Sequence, residues 1–236
     1  MSRTVISFSL YGNVEKYFRG LIENCKRINE VYPSFWIYLF IGNDFDHRIL
    51  DGKLNNFSNI EVFQTNKPGH ENRSHRFFAI DFPEVGIMFS RDLDSIVNLR
   101  DQYCINEFLK SDKKFQIIRD QPVHNTYILA GMWGIKKGLL QTKVRDLFNN
   151  FKTQRLFGIT KQIQIGVESD QHFLARFMYP LIKHDALIFD EYFNYPNEKP
   201  QKILADTVYF PDTNRFDFVG RPVPDWNEKF EIRKNN

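Results

Sequence analysis

Val85-Gly86-Ile87-Met88-Phe89-Ser90-Arg91-Asp92-Leu93-Asp94-Ser95 is the stretch that decides the fold of this chain. Val85 to Ser90 has the length and apolar character of a buried strand, and it runs without a break into two carboxylates set two residues apart. A buried strand ending in acid puts that acid at the carboxyl edge of a sheet, where open α/β sheets bind their ligands. On an extended backbone Asp92 and Asp94 point the same way, whereas in a turn they splay, one taking a metal and the other a water or hydroxyl. Hard divalent cations such as Mg2+ or Mn2+ take oxygen ligands, commonly one or two carboxylates plus substrate phosphates. As a bare pattern Asp-x-Asp more often marks a solvated turn; its place after a strand, between Arg91 and Ser95, favours the metal site.

Outward from this point, strands alternate with helices. Upstream, Val5 to Leu10 reads as a strand, and Val14, Tyr17, Phe18, Leu21, Ile22, Cys25 and Ile28 follow at helical spacing. Phe35 to Ile41 and Ile60 to Gln64 read as further strands, the first closed by Gly42-Asn43-Asp44 and the second by Asn66-Lys67-Pro68-Gly69. Arg73 to Asp81 suits a short helix. Downstream, a helix is expected up to Lys110, strands over Phe115 to Ile118 and Ile128 to Ile135, and a helix carrying Leu140, Val144, Leu147, Phe148 and Phe151. Ser169 or Asp170 caps a last helix that Pro180 ends or soon follows. The expectation is an α/β protein, one domain over residues 1–236, with a mainly parallel central sheet flanked by helices. From Pro196 the chain reads as an irregular C-terminal wrap.

The composition narrows the function classes. The chain has 236 residues, 42% hydrophobic and 24 of them Phe, enough for one substantial core. A net charge of +3, spread rather than clustered, falls short of a nucleic-acid footprint. Cys25 and Cys104 form no Cys-x-x-Cys pair, so neither a disulfide framework nor a cysteine zinc site is indicated, and a reducing, cytoplasmic setting is expected. No signal peptide or transmembrane run is read. Without Gly-x-Gly-x-x-Gly or a P-loop, Rossmann dehydrogenases and kinases drop out.

Further polar residues stand where chemistry is expected. Arg76 follows His75 and precedes the Phe77-Phe78 pair, so aromatics would anchor its helix while the guanidinium forks onto hydroxyls, carboxylates or phosphates; a plain surface arginine fits the spacing equally. Ala130-Gly131, inside the expected strand, suggests close approach by a ligand, with core packing as the equal alternative. Asp170-Gln171 sets a carboxylate and an amide at a helix start, where capping alone accounts for Asp170. Asp120 and His124, in and after a strand end, are candidates for acceptor or phosphate contacts. The other histidines lack paired ligand spacing.

Taken in order, Ser7-Phe8-Ser9-Leu10-Tyr11-Gly12, Ser90-Arg91-Asp92-Leu93-Asp94-Ser95, Ile128-Leu129-Ala130-Gly131-Met132-Trp133-Gly134 and Ser169-Asp170-Gln171 resemble the motifs of GT-A (Rossmann-like) glycosyltransferases. The likeness is to retaining enzymes of the glycogenin and lipopolysaccharide galactosyltransferase group, and to polysaccharide glycosyltransferases of bacteria and large DNA viruses. The resemblance implies a hexosyltransferase that moves a sugar from a nucleotide-sugar, with UDP-glucose or UDP-galactose as donor, to a glycan acceptor. It implies Mn2+ or Mg2+ on Asp92 and Asp94, Leu10, Tyr11 and Gly12 facing the nucleoside, and Arg76 on donor sugar or phosphates. Ala130 and Gly131 would line the sugar, with Asp170 and Gln171 at its reacting face. The chain departs from the pattern at Leu187-Ile188-Phe189-Asp190-Glu191, where Phe189 stands in place of an expected metal-binding His and Asp190 is the substitute at hand.

Two other classes share parts of this pattern. A metal-dependent phosphohydrolase or nucleotidyltransferase also pairs carboxylates around metal and phosphates. A non-catalytic sugar-binding module could keep the fold without the chemistry.

Overall fold

A computed structural model describes residues 2–12, 14–156, 159–162, 169–211, 215–222 and 231–235. Strands β1 (Arg3–Leu10), β2 (Trp36–Ile41), β3 (Ile60–Gln64), β4 (Val85–Ser90), β5 (Phe115–Arg119), β6 (Trp133–Lys136) and β9 (Ala186–Asp190) build a seven-stranded sheet in the order β3-β2-β1-β4-β6-β5-β9. Every pairing is parallel except the two made by β6, which runs antiparallel between β4 and β5. The α/β class and the mainly parallel sheet expected from the sequence are present.

Period-two alternation sends each strand's apolar residues to both faces, so two separate cores form. Ile6, Phe8 and Leu10 of β1 meet Leu21, Cys25 and Ile28 of helix α1 (Glu15–Val31) and Cys104, Ile105 and Phe108 of helix α3 (Leu99–Lys110). On the other face Val5, Tyr38 and Met88 meet Phe77, Phe78, Trp133 and the aromatic side of helix α4 (Val144–Lys152). Asp81 accepts hydrogen bonds from Val144 N and Arg145 N and so caps α4 from a distant segment (2.8 and 2.9 Å). Both cysteines are buried and free, and burial pushes the Cys25 thiol up to about 12.

Several expectations need correction. Ile128–Ile135 is not one strand: only Trp133 onward is extended, and residues 129–132 form a turn closed by Met132 N donating to Leu129 O at 3.0 Å. Ala130 and Gly131 therefore lie in a turn. The helix expected over Arg73–Asp81 is a short α2 (Gly69–Arg73) tightening into a 3-10 helix, Ser74–Asp81. The helix at Asp170 is α5 (Ser169–Phe173), continued by a π turn, Leu174–Met178, and by α6 (Tyr179–Ile182), in whose first turn Pro180 sits where its missing N–H does no harm. A hairpin of β7 (Thr153–Leu156) and β8 (Ile159–Gln162) was not foreseen. The C-terminal wrap carries its own antiparallel sheet of β10 (Thr207–Phe210), β11 (Arg215–Phe216) and β12 (Glu231–Arg233). No helix among the described residues is long and apolar enough to cross a membrane.

Candidate active site

Chain order reverses direction in the sheet between β1 and β4, with β2 and β3 on one side and β4 leading to the other. Loops leaving two such neighbours part from one another and open a crevice beyond the strand ends. Tyr11 leaves β1 and Asp92 leaves β4, each within two residues of its strand's end. A cleft of about 280 Å³ opens there, lined by Ser9, Tyr11, Tyr17, Arg73, Arg76, the Asp92–Asp94 loop, Gln121, His124, residues 129–132, Asp170, Gln171, Gly220 and Pro222.

The acidic loop is fixed on three sides. Arg91 extends the ladder, its N donating to Ser7 O, and its buried side chain forks onto Asp101 at 2.7 and 2.8 Å and donates to Ser90 O and Trp133 O. Gly20 of α1 lies so close that an added Cβ would sit 1.7 Å from Leu93 O. Gly131 backs onto Asp92, where a Cβ would fall 1.9 Å from Oδ2. The close approach expected at Ala130-Gly131 is thus to the carboxylate itself. Asn24 completes the frame, donating to Ser95 O and accepting from Val97 N (2.8 and 3.1 Å).

Charges inside the cleft are cross-linked. Arg76, anchored among aromatics as expected, is buried; its Nη1 donates to Asp92 Oδ1 and to Arg91 O, and its Nη2 lies 4.0 Å from Asp170 Oδ2. Among the described residues its buried Nε has no hydrogen-bond partner. Arg73, one helical turn earlier, stands 3.8 Å from Asp170 Oδ1 and donates to the Tyr11 hydroxyl at 3.1 Å. Ser9 holds that turn in place, its hydroxyl donating to the carbonyls of Asn72 and Arg73 and accepting from Arg76 N. On the open side, Lys16 of α1 donates to Asp94 Oδ2 at 3.3 Å.

Burial and two facing arginines act on Asp170 in opposite senses. Burial is the larger effect and lifts its carboxyl above the usual range, against the pull of Arg76 and Arg73. The Asp94 carboxyl is likewise raised, first by burial and then by Asp92 beside it, with Lys16 opposing. Burial pushes the Tyr17 phenol up to about 12, helped by Tyr11 and by the carboxylates of Asp94 and Asp92.

Of the residues singled out in the sequence, Tyr11, Arg76, Asp92, Asp94, Ala130, Gly131, Asp170, Gln171 and His124 come together here. Three do not. Leu10 is fully buried in the core, so any contact with a nucleoside falls to Tyr11. Gly12, with φ +62°, turns the chain and is outside the lining. Asp120 is buried, held by Arg100 at 2.6 and 2.7 Å and by Val219 N at 2.8 Å, and is a structural anchor with no free edge for an acceptor. Sequence reasoning missed Arg73, Lys16, Tyr17, Gln121 and the Gly220–Pro222 segment as site residues; Arg73, three residues before Arg76, and Tyr17, within the helical repeat of the first helix, carried a periodic signal.

The carboxylate pair fits a hard divalent cation. It is all oxygen, lines the cleft, and sets two carboxylates two residues apart on one loop, where a cation would offset their mutual repulsion. A third protein ligand is absent: among the described residues no group of three His, Cys, Asp or Glu side chains is arranged for metal. Asp190, the substitute at hand, is buried elsewhere, paired with Arg119 at 3.0 Å and accepting from the N–H groups of Tyr192, Phe193 and Asn194. Phe189 is core, edge-on to Tyr103.

No family model matches the sequence, and no curated protein does. Solved structures resemble it. S. aureus TarS 1-349 in complex with UDP is 14% identical, covering 72% of this chain and 53% of that one, with a TM-score of 0.44. The glycosyltransferase GlyE of Streptococcus pneumoniae TIGR4 is 16% identical over 79% and 45% of the two chains, TM-score 0.48. The 4-diphosphocytidyl-2C-methyl-D-erythritol synthase of Anaerococcus prevotii DSM 20548 is 14% identical over 75% and 98%, TM-score 0.41. The chain spans about half the length of the TarS and GlyE structures it matches. All three identities are so low that the chemistry of this cleft has to be read from its own side chains.

Proposed function

We propose that this chain is a GT-A-like glycosyltransferase that transfers a hexose from a nucleotide-sugar, a UDP-sugar by motif resemblance, to a glycan hydroxyl. The observation that carries the proposal is the convergence of Arg73, Arg76, Asp92, Asp94, Gly131 and Asp170 on one cleft at the switch point of the sheet. A cation-rich wall beside a carboxylate pair is what a diphosphate needs, and a small-residue turn beside a buried acid is what a pyranose ring needs.

Asp92 and Asp94 would hold Mn2+ or Mg2+, which supplies Lewis-acid neutralisation of the departing diphosphate. Arg76 orients Asp92 and sets a guanidinium in the cleft wall. Arg73 adds a second positive charge on the same wall. Fixed dipoles and charges of this kind stabilise a developing charge without reorganising, the largest single catalytic term in many enzymes. Asp170 stands with its carboxyl buried and flanked by both arginines, suited to steady an oxocarbenium-like sugar from below in a retaining reaction, with the Gln171 amide beside it. In an inverting reaction Asp170 would instead take the acceptor proton; Asp120, locked to Arg100, is not available for it.

The test is a donor screen. Release of free nucleoside diphosphate from each common nucleotide-sugar is followed with Mn2+, with and without EDTA, for the wild type and Asp94→Asn. Chelator-sensitive release from one donor, reduced about a hundredfold or more in the variant, is expected. Silence from every donor combined with no donor binding sinks the proposal and leaves the phosphohydrolase, nucleotidyltransferase and binding-module alternatives; equal turnover in Asp94→Asn removes the carboxylate pair from the mechanism.

A further inference from the structure

Lys16 is an exposed cation that meets the acidic pair from its open side. It projects from the first turn of α1, its side chain 55% exposed, and its ammonium reaches across to Asp94 Oδ2 at 3.3 Å while lying 5.0 Å over the Tyr17 ring. Arg76 is the opposite case: buried, with its Nη1 committed to Asp92 Oδ1 and Arg91 O. The acidic pair is therefore neutralised by one fixed guanidinium and one flexible ammonium. Asp92 and Asp94 share one loop, so the position facing Asp94 favours a positive charge, which Lys16 supplies. An ammonium on a four-carbon stem is a mobile point charge, and a pair as open to solvent as this one is weak, so a divalent cation can displace it.

We propose that Lys16 is an exchangeable counter-ion: it pairs with Asp94 when no metal is bound and moves onto the donor's diphosphate when metal and nucleotide arrive together. The inference rests on the nucleotide-sugar reading and adds a residue and an order of events to it. Two consequences follow from mass action. Lys16 competes with metal in the absence of nucleotide, and it assists nucleotide binding once metal is seated. Metal alone is thus held weakly, and metal with donor is held well. The Tyr17 ring is the resting place that keeps the ammonium near the mouth during the exchange.

The test uses Lys16→Met, which keeps the stem and deletes the charge, with Lys16→Arg and Asp94→Asn as companions. Mn2+ binding to the protein alone is measured by titration of free Mn2+ with electron paramagnetic resonance. UDP binding at saturating Mn2+ is measured by calorimetry. Opposite signs are expected in the methionine variant: Mn2+ bound up to about fivefold more tightly and UDP up to about fivefold more weakly than in the wild type, with melting temperature unchanged because the side chain is exposed. A merely structural lysine would not move the two affinities in opposite directions. Lys16→Arg should restore UDP binding. Unchanged or weaker Mn2+ binding, or unchanged UDP binding, in Lys16→Met overturns the exchange. If Asp94→Asn at the same time loses Mn2+, the metal site and the glycosyltransferase reading stand without it; if no form binds UDP with Mn2+, that reading falls as well.

Discussion

Gly131 shows how finely the residue scale sets this site. Its α-carbon lies against Asp92, and a methyl group there would need room 1.9 Å from Oδ2 and 2.6 Å from Cγ. The carboxylate is the movable partner, so Gly131→Ala is expected to push Asp92 off Arg76 rather than unfold the chain. Donor-dependent turnover should drop at least tenfold, with overpacking limited to about 1–3 kcal/mol, measured by kinetics beside thermal melting. Turnover at the wild-type level with a shifted melting point would show that Asp92 has room to yield. The pair Ala130-Gly131 was legible in the sequence as a place of close approach, but not what approaches. An apolar run through Ile128–Ile135 reads as strand, and only contact with Asp92 explains why the first half turns instead. Asp92, Asp94 and Asp170 were legible because each sits at a strand or helix end, and Arg76 because an aromatic pair follows it. Asp120 was misjudged because its partner Arg100 comes from another helix face, and a buried ion pair leaves no mark on local sequence.

Among the elements, α1 couples the core to the acidic loop. Its apolar face packs Leu21, Cys25 and Ile28 on β1, while Gly20 and Asn24, one helical turn apart, touch the backbone of residues 93–97. Gly20→Ala would place a methyl group 1.7 Å from a carbonyl oxygen that has no freedom to rotate away. The helix then has to slide, and a loss of about 1–3 kcal/mol or more is expected by denaturant titration, together with weakened Mn2+ binding at Asp94. A variant as stable as wild type would mean that the helix and loop are not in register as described. Helix α1 and strands β1 to β4 were readable from period and punctuation. The 3-10 helix at Ser74 was not, since a polar block, Ser74-His75-Arg76, followed by an apolar one, Phe77 to Ile80, fits either helix type, and the contacts of Ser9 and Asn72 that tie this turn to β1 leave no local mark.

On the scale of the whole molecule, the C-terminal segment closes the cleft. Val219 N is bonded to Asp120, Asn98 donates to Asp217 Oδ2 and Phe218 O, and Gly220 and Pro222 form part of the cleft wall. This wrap looked irregular in sequence because its strands are two to four residues long, too short for alternation to show. Asp217 gives it a pH dependence. Burial raises its carboxyl to about 6, against Arg221 and the bond from Asn98, with Asp120 adding to the rise. A carboxyl raised on folding stabilises fully below its unfolded value near 4, and that stability is lost as pH rises through 6. Between those limits stability should fall by up to about 1.4 kcal/mol per pH unit, and Asp217→Asn should flatten the slope in urea titrations at pH 4.5 and 6.5. An unchanged slope would place the dependence elsewhere. The wrap also sets an order in time. A ribosome completes the seven-stranded sheet at Asp190, but the wall at Gly220 emerges roughly 30 residues later, a matter of a few seconds at ordinary rates of synthesis. A nascent chain thus has its two carboxylates in place before Gly220 and Pro222 wall the cleft.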